Sequence, residues 1–438
     1  MLNSKFVIKI FRIAMDAVSP DKLLQESFKV DSNKILVNRS SIQIHSKVNI
    51  LAFGKASVKM YLAAKKVLGP FFGRGILITH QSNIDFSNFD DNEELVYSSH
   101  PFITEKSYEA GKKALTFVKK SSREDILLTL VSGGGSAMLV LPLKSITLDE
   151  KIKFISKVML MGVPEREVNV LKKSLSELKG GKLAESSNNK TIVNLILSDE
   201  RNHDLSAISS GPTVCNKEVD PIKIMDQYDL WKITPSNIKK AINRHGVKKR
   251  IGCSKEIVNS LIGSRENLVN SISKTALEHN FDFIFCIENI ASLSPNKALE
   301  KLQEEYLKIY NSSRVGKTLV ICTGEIQVDV SQKKDTKGGR NQHITALVMT
   351  KMIFPVEFSF VAIATDGMDF MEGVHGAFFD SSRSDEIKNN YDLINQSILD
   401  CTTYNIHRKF NTLIEGKITG TNMADFYLFA FEKQELRE

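Results

Sequence analysis

DILLTLV (Asp125–Val131), followed at once by SGGGS (Ser132–Ser136), decides how this chain is read. The first run is apolar and β-leaning. It ends in three glycines flanked by serines, then turns into Ala137-Met138-Leu139-Val140, which reads as a helix start. A strand that ends this way brings bare backbone N–H groups together, a natural cradle for phosphate oxygens. A Gly-rich strand-to-helix turn also serves as a tight packing corner. Both readings stand for the motif alone.

The arrangement recurs. TIVNLIL (Thr191–Leu197) ends in Ser198-Asp199, KTLVICT (Lys317–Thr323) in Gly324-Glu325, and FSFVAIA (Phe358–Ala364) in Thr365-Asp366-Gly367. Ligands of open α/β sheets bind outside the carboxyl ends of the strands. Four such ends, three of them acidic, therefore point to a site, although a single acidic strand end is usually a cap or turn residue.

Around these runs, strand and helix patterns alternate: strands at 48–54 and 75–79, helices at 55–68, 107–121, 147–160 and 165–178. Such alternation implies a mostly parallel sheet with helices on both faces. At 438 residues the chain exceeds one typical core, so two domains are expected. The polar, basic stretch 235–253 marks the boundary, giving domains 1–245 and 246–438. The second alternation comprises strands at 257–262 and 281–287, helices at 264–279 and 295–310, and the strands ending at Thr323 and Ala364.

Composition narrows the class. The net charge of +8 is modest, and the basic stretch lacks the aromatics of a nucleic-acid surface, so no nucleic-acid partner is expected. The charge suits an anionic substrate. Five scattered cysteines without CxxC spacing argue for reduced thiols, with Cys286 and Cys322 read as core. The uncharged stretch 126–143 is broken by SGGGS and Pro142 and reads as strand and loop, not a membrane span. LNSKFVIKIFRIAMDAV has no cleavage-site pattern; Phe6, Ile10, Ile13, Ala14 and Ala17 share one helical face. It reads as the first helix of a cytoplasmic protein.

Three further motifs carry chemistry. Lys55 in VNILAFGKAS (Val48–Ser57) stands at a helix start, where a cation is out of place unless an anion is near. In KGGRNQ (Lys337–Gln342), Gly339 allows close backbone approach, Arg340 can hold a phosphoryl or carboxylate group bidentately, and Asn341 can orient it. TDGMD (Thr365–Asp369) offers carboxylates for Mg²⁺ or for proton removal from an alcohol. Gly420-Thr421-Asn422 with Asp425 reads as a ligand loop or a helix cap followed by a helix. The alternative readings are a surface lysine, an arginine on a turn and an Asx turn. No GxGxxG, zinc cluster or GxSxG elbow occurs.

In order, FGKAS (Phe53), SHP (Ser99), SGGGSA (Ser132), LSELKGGKLAE (Leu175), SD (Ser198), ISSGPTV (Ile208), TGE (Thr323), GGRNQ (Gly338), TDGMD (Thr365) and GTNMAD (Gly420) resemble the class II glycerate 2-kinases with a carboxyl-terminal MOFRL domain. The resemblance spans nearly the whole chain. It implies a larger N-terminal Rossmann-like domain, a smaller α/β MOFRL-type domain and an active-site cleft between them. It also implies ATP-dependent phosphorylation of D-glycerate, or a related small hydroxy acid, to 2-phosphoglycerate with Mg²⁺ or another divalent cation. Homodimer formation is left open, and no membrane partner is expected.

Under that resemblance Lys55 and Arg340 are the catalytic cations, with Asp199 and Asp366 as catalytic carboxylates. Ser132, Gly133, Gly134, Gly135, Ser136, Lys179, Gly180, Gly339, Asn341, Thr421 and Asn422 bind the nucleotide. Glu325, Asp199 and Asp366 hold the metal. The chain also departs from the family pattern: His343 replaces a glutamate, Asn202-His203 a Gly-Asp pair, Lys172 and Ser174 an arginine and histidine, Thr323 a glycine, and Phe370-Met371-Glu372-Gly373 the sequence Gly-Pro-Thr-Asp. These changes motivate an alternative, a catalytically weakened ligand-binding protein of the same fold. A hydroxypyruvate reductase is disfavoured by the missing dinucleotide fingerprint.

Overall fold

The computed structural model describes residues 2–435 apart from 82, 83, 85–88, 199–203, 216–219, 247–254, 288 and 332. The chain divides into two compact units, Pro20–Ser264 and Met1–Ser19 together with Arg265–Glu438.

In the unit Pro20–Ser264, a small antiparallel sheet of β1 (Phe28–Asp31), β2 (Lys34–Val37) and β3 (Ser40–Gln43) precedes the main one. The main sheet holds β4 (Val48–Phe53), β5 (Phe72–Thr79), β6 (Glu93–Tyr97), β7 (Ile126–Val131), β8 (Thr191–Leu197) and β9 (Glu256–Gly263). All pairings are parallel and the order is β6-β5-β4-β7-β8-β9. Renumbered within the sheet, this is the 3-2-1-4-5-6 order of doubly wound dinucleotide folds. Every residue of β4 and β7 is buried, as parallel strands covered on both faces require. Leu51 and Phe53 of β4 share one buried apolar cluster with Ala110, Ala114 and Phe117 of the helix Glu105–Lys119.

The other unit carries β10 (Phe283–Cys286), β11 (Gly316–Thr323), β12 (Phe358–Ala364), β13 (Val374–Asp380), β14 (Leu413–Glu415) and β15 (Asp425–Lys433). Their order is β10-β11-β15-β12-β13-β14, and only β10 and β11 run parallel. The helix Arg340–Lys351 is buried along most of its length and packs on β12 and β13.

Several expectations need correction. The boundary lies after Ser264, not at 245, because β9 hydrogen-bonds to β8 and completes the parallel sheet. The first helix, Ser4–Ala17, belongs with the C-terminal residues: Ser4 donates to Asp380 through both its amide and its hydroxyl, each at 2.7 Å, and Phe11 meets Phe426 edge-on. Its buried face is Val7, Ile10, Phe11 and Ala14, while Ile13 is 40% exposed. The loop after Gly420 leads into a strand from Asp425, not into a helix. DFYLFAFEK is an apolar run buried on both faces at the centre of a sheet, and periodicity cannot tell such a run from a buried helix. The helix expected to reach Leu178 stops at Ser174. Cys286 is exposed because β10 is an edge strand, whereas Cys322 is buried as expected.

Candidate functional site

In the parallel-sheet unit, β4 and β7 are neighbours at the point where the strand order reverses. Ligands of doubly wound sheets bind at that switch point. FGKAS leaves β4 there and SGGGS leaves β7. The two loops are stitched together: Lys55 N donates to Gly133 O (2.9 Å), and Ala56 N to the Ser132 hydroxyl (3.0 Å).

Gly134 has φ +83° and lies between the His100 ring and the Lys55 stem. A Cβ added there would stand 3.0 Å from the ring and 3.1 Å from Lys55 Cγ. The loop's carbonyls are taken: Ser132 O accepts from Ser209, Gly133 O from Lys55 N, Gly134 O from Ala137 N and Ser136 O from Lys179. The amides of Gly133, Gly134, Gly135 and Ser136 donate to no described protein group. Successive amides free of acceptors are what an anion nest requires.

Lys179 and Gly180 follow from the turn after the helix Glu165–Ser174. Lys179, 2% exposed, reaches Ser136, and Gly180 N donates to Ser210 O at 2.9 Å. Burial, together with the positive charges of Lys151, Lys172 and Lys173, pulls the Lys179 amine well below its ordinary pKa. Lys151 is buried too and pulled down to about 7, its Nζ donating to Leu175 O at 2.9 Å. Asp199 and the substituted pair Asn202-His203 lie outside the described residues.

The second group sits in the antiparallel unit. β15 runs opposite to β11 and β12, so its first residue stands beside their last ones: Asp425 faces Ala364, and Phe426 faces Thr323. That register gathers Glu325, Asp366 and Asp425 at one sheet end. Arg340 opens the neighbouring helix. Its Nε and NH2 donate to the two oxygens of Asp425, the latter at 3.2 Å, and its NH1 pairs with Glu325 at 3.0 Å. Burial lowers the Arg340 pKa, but Asp425 and Glu325 outweigh it and the net shift is upward.

Asp369 anchors the same helix start, accepting from Asn341 N (3.0 Å), Gln342 N (2.9 Å) and the Gln342 side chain. Gly339 passes so close that a Cβ would stand 2.2 Å from that carboxylate. Burial pushes Asp369 up to about 6, helped by Asp425. It likewise pushes Asp425 upward, where Arg340 opposes the rise and Glu325 and Asp366 add to it.

Asp366 Oδ1 accepts from Met368 N at 2.9 Å, an Asx turn. Thr421 and Asn422 are buried in the loop before β15, and the Thr421 hydroxyl has no partner among the described residues. His343 is buried and pushed down to about 4, so it is neutral and brings no charge where the family pattern has a carboxylate.

The structure thus groups Lys55, Ser132–Ser136, Lys179 and Gly180 in one unit. It groups Glu325, Gly339, Arg340, Asn341, Asp366, Thr421 and Asn422 in the other. In the sequence Asp425 stands out only beside the Gly420 loop, Asp369 only as a TDGMD carboxylate and His100 only within SHP, and Lys151 carries no signal. An acid directly before the apolar run FYLFAF was the available signal for Asp425. Among the described residues no three His, Cys, Asp or Glu side chains are grouped as a metal-binding set.

Known proteins resemble this chain over nearly its whole length. Residues 6–243 match the model of the family described as Domain of unknown function (DUF4147), and residues 318–425 match the MOFRL family. The chain therefore belongs to the DUF4147 family and carries a MOFRL region. It is 29% identical to the glycerate 2-kinase of Pyrococcus horikoshii over 94% of this chain and 93% of that one. Against the D-glycerate 2-kinase of Thermotoga maritima it is 26% identical over 97% of each. The crystal structure of glycerate kinase from Thermotoga maritima superposes with a TM-score of 0.78 at 25% identity, covering 97% of this chain and 98% of that one. No helix among the described residues is long and apolar enough to cross a membrane.

Proposed function

We propose that this protein is a glycerate-type kinase, transferring a phosphoryl group from ATP to the 2-hydroxyl of D-glycerate or a closely related small hydroxy acid. The observation that carries the reading is the pair of loops at the β4/β7 switch point, where four consecutive amides with no described acceptor adjoin Lys55. Oriented amides of this kind suit the nucleotide phosphates, with Lys179 and Gly180 bracing the loop through Ser136 and Ser210. Its relatives' names support the same activity.

In this reading the substrate hydroxyl oxygen attacks the γ-phosphorus while the bond to the β–γ bridging oxygen breaks. Lys55 and Arg340 balance the charge on the equatorial oxygens, the largest single contribution available to phosphoryl transfer. Asp366 and Asp199 are the carboxylates proposed to take the hydroxyl proton or orient it. Glu325 and Asp366 offer hard oxygen donors of the kind Mg²⁺ takes, with waters and phosphates completing the shell. When bound, the ion would neutralise charge on the nucleotide phosphates.

The test is incubation of the purified protein with ATP, Mg²⁺ and a panel of hydroxy acids, followed by ³¹P NMR of the products. A 2-phosphate ester formed by the wild type, and lost with Lys55→Ala or Arg340→Ala, is the expected result. Nucleotide binding by calorimetry without any phosphorylated product would replace the kinase reading with that of a ligand-binding protein.

A further inference from the structure

Arg340 is held unequally on its two edges. Along the Nε edge it meets Asp425, whose side chain is 3% exposed; at NH1 it meets Glu325, whose side chain is 45% exposed. Asp425 is fixed in turn by the strand register that starts β15 opposite Ala364, and by Asn341, whose Nδ2 donates to it at 2.9 Å. One partner is thus dry, geometrically matched and doubly bonded. The other is wet and singly bonded.

We propose that Asp425 is a positioning residue for phosphoryl transfer. It clamps Arg340 by the Nε edge and presents the NH1 edge to the anionic reactant, with Glu325 as the partner that the reactant displaces. The inference rests on the kinase reading above and adds to it a residue whose role is exerted through Arg340.

The physics favours this division of labour. An arginine side chain carries large rotamer entropy, and a fork bound to a carboxylate in advance has already given that freedom up. Fixing the guanidinium before the reactant arrives is what preorganised electrostatic stabilisation demands. An exposed single ion pair such as Arg340–Glu325 contributes little, so the doubly charged oxygens of a phosphate outcompete it. Asn341 Oδ1 itself is buried and has no hydrogen-bond partner among the described residues.

The full chain carrying Asp425→Asn or Asp425→Glu tests the proposal by two independent readouts. The first is side-chain ¹⁵N–¹H NMR of arginine, with the Arg340 Nε–H resonance assigned through Arg340→Lys. Wild type should show a slowly exchanging Nε–H. In Asp425→Asn its exchange should accelerate by about tenfold or more, as a buried hydrogen bond is lost.

The second readout is steady-state kinetics. Asp425→Asn should lower kcat by about 100-fold with KM for both substrates within roughly threefold, and Asp425→Glu should recover part of the loss. A kcat within twofold of wild type, or an Nε–H whose exchange is unchanged in a folded variant, overturns the proposal. Absence of turnover in the wild type instead removes the kinase reading and the kinetic half of this inference. The NMR readout still decides whether Asp425 fixes Arg340.

Discussion

Lys179 and Ser136 are joined twice: Nζ donates to the Ser136 carbonyl at 2.8 Å and to its hydroxyl at 2.9 Å. The Ser136 hydroxyl is also 3.0 Å from that of Ser210. One buried amine therefore pins the end of the glycine-rich loop, with Lys151, Lys172 and Lys173 as its charged neighbours. Binding of an anion offsets the repulsion among such groups.

Replacing Lys179 should accordingly cost binding more than stability. Lys179→Met is expected to weaken ATP affinity by about tenfold or more while stability changes by roughly 1 kcal/mol or less, because a buried amine without a carboxylate partner is itself expensive to bury. Calorimetry with ATP and a urea melt measure the two. Undiminished affinity in the variant would detach Lys179 from the nucleotide.

Gly134 offers a test of the loop's shape. With φ +83° and the His100 ring and Lys55 stem on either side, Gly134→Ala is expected to cost about 1–2 kcal/mol and to displace Lys55. kcat should fall along with the urea midpoint. A midpoint and kcat both equal to wild type would mean the left-handed turn is not needed.

Much of this loop was legible beforehand, and the reasons are local. A strand, glycines and a helix start follow one another within a dozen residues, so turn chemistry announced the β7 loop and Lys55. The antiparallel unit was harder. Asp425 lies 85 positions from Arg340, and the two meet only because β15 is inserted between β11 and β12. No spacing rule encodes that insertion, and a run buried on both faces has no alternation to mark it as strand. β9 was credited to the wrong domain for a similar reason: which sheet edge a strand joins is decided by pairing, not by its own sequence.

Acid should destabilise the antiparallel unit through His407. Fully buried, it donates from Nε2 to Gln342 O at 2.7 Å and accepts at Nδ1 from the Thr412 hydroxyl at 2.8 Å, a neutral tautomer. Burial pushes it down to about 4 from 6.5. The unfolded chain therefore takes up the proton first. The stabilisation is complete above about pH 6.5 and is lost as pH falls to about 4, roughly 3 kcal/mol in all. His343, also pushed down to about 4, adds to the same window. Urea midpoints at pH 7, 5.5 and 4.5 should show a shallower acid slope for His407→Gln than for wild type. Parallel slopes would contradict this.

The first helix should be essential to the unit it joins. Removing residues 2–19 uncovers the surface now buried by Val7, Ile10, Phe11 and Ala14 and leaves Asp380 without Ser4, a loss on the order of 5 kcal/mol. Hydrogen exchange in β12 and β13 should rise sharply while β4 and β7 keep their protection. Unchanged exchange in β12 would show the helix to be dispensable.

That same arrangement makes the parallel-sheet unit an insertion, and translation must respect it. With Pro20–Ser264 intervening, a ribosome adding roughly 5–20 residues per second leaves the opening helix without its bed for tens of seconds. The inserted unit can finish folding in that interval. The helix Ser4–Ala17 meanwhile carries an uncovered apolar stripe, a natural stopping place for a chaperone until β15 emerges to fill the centre of its sheet.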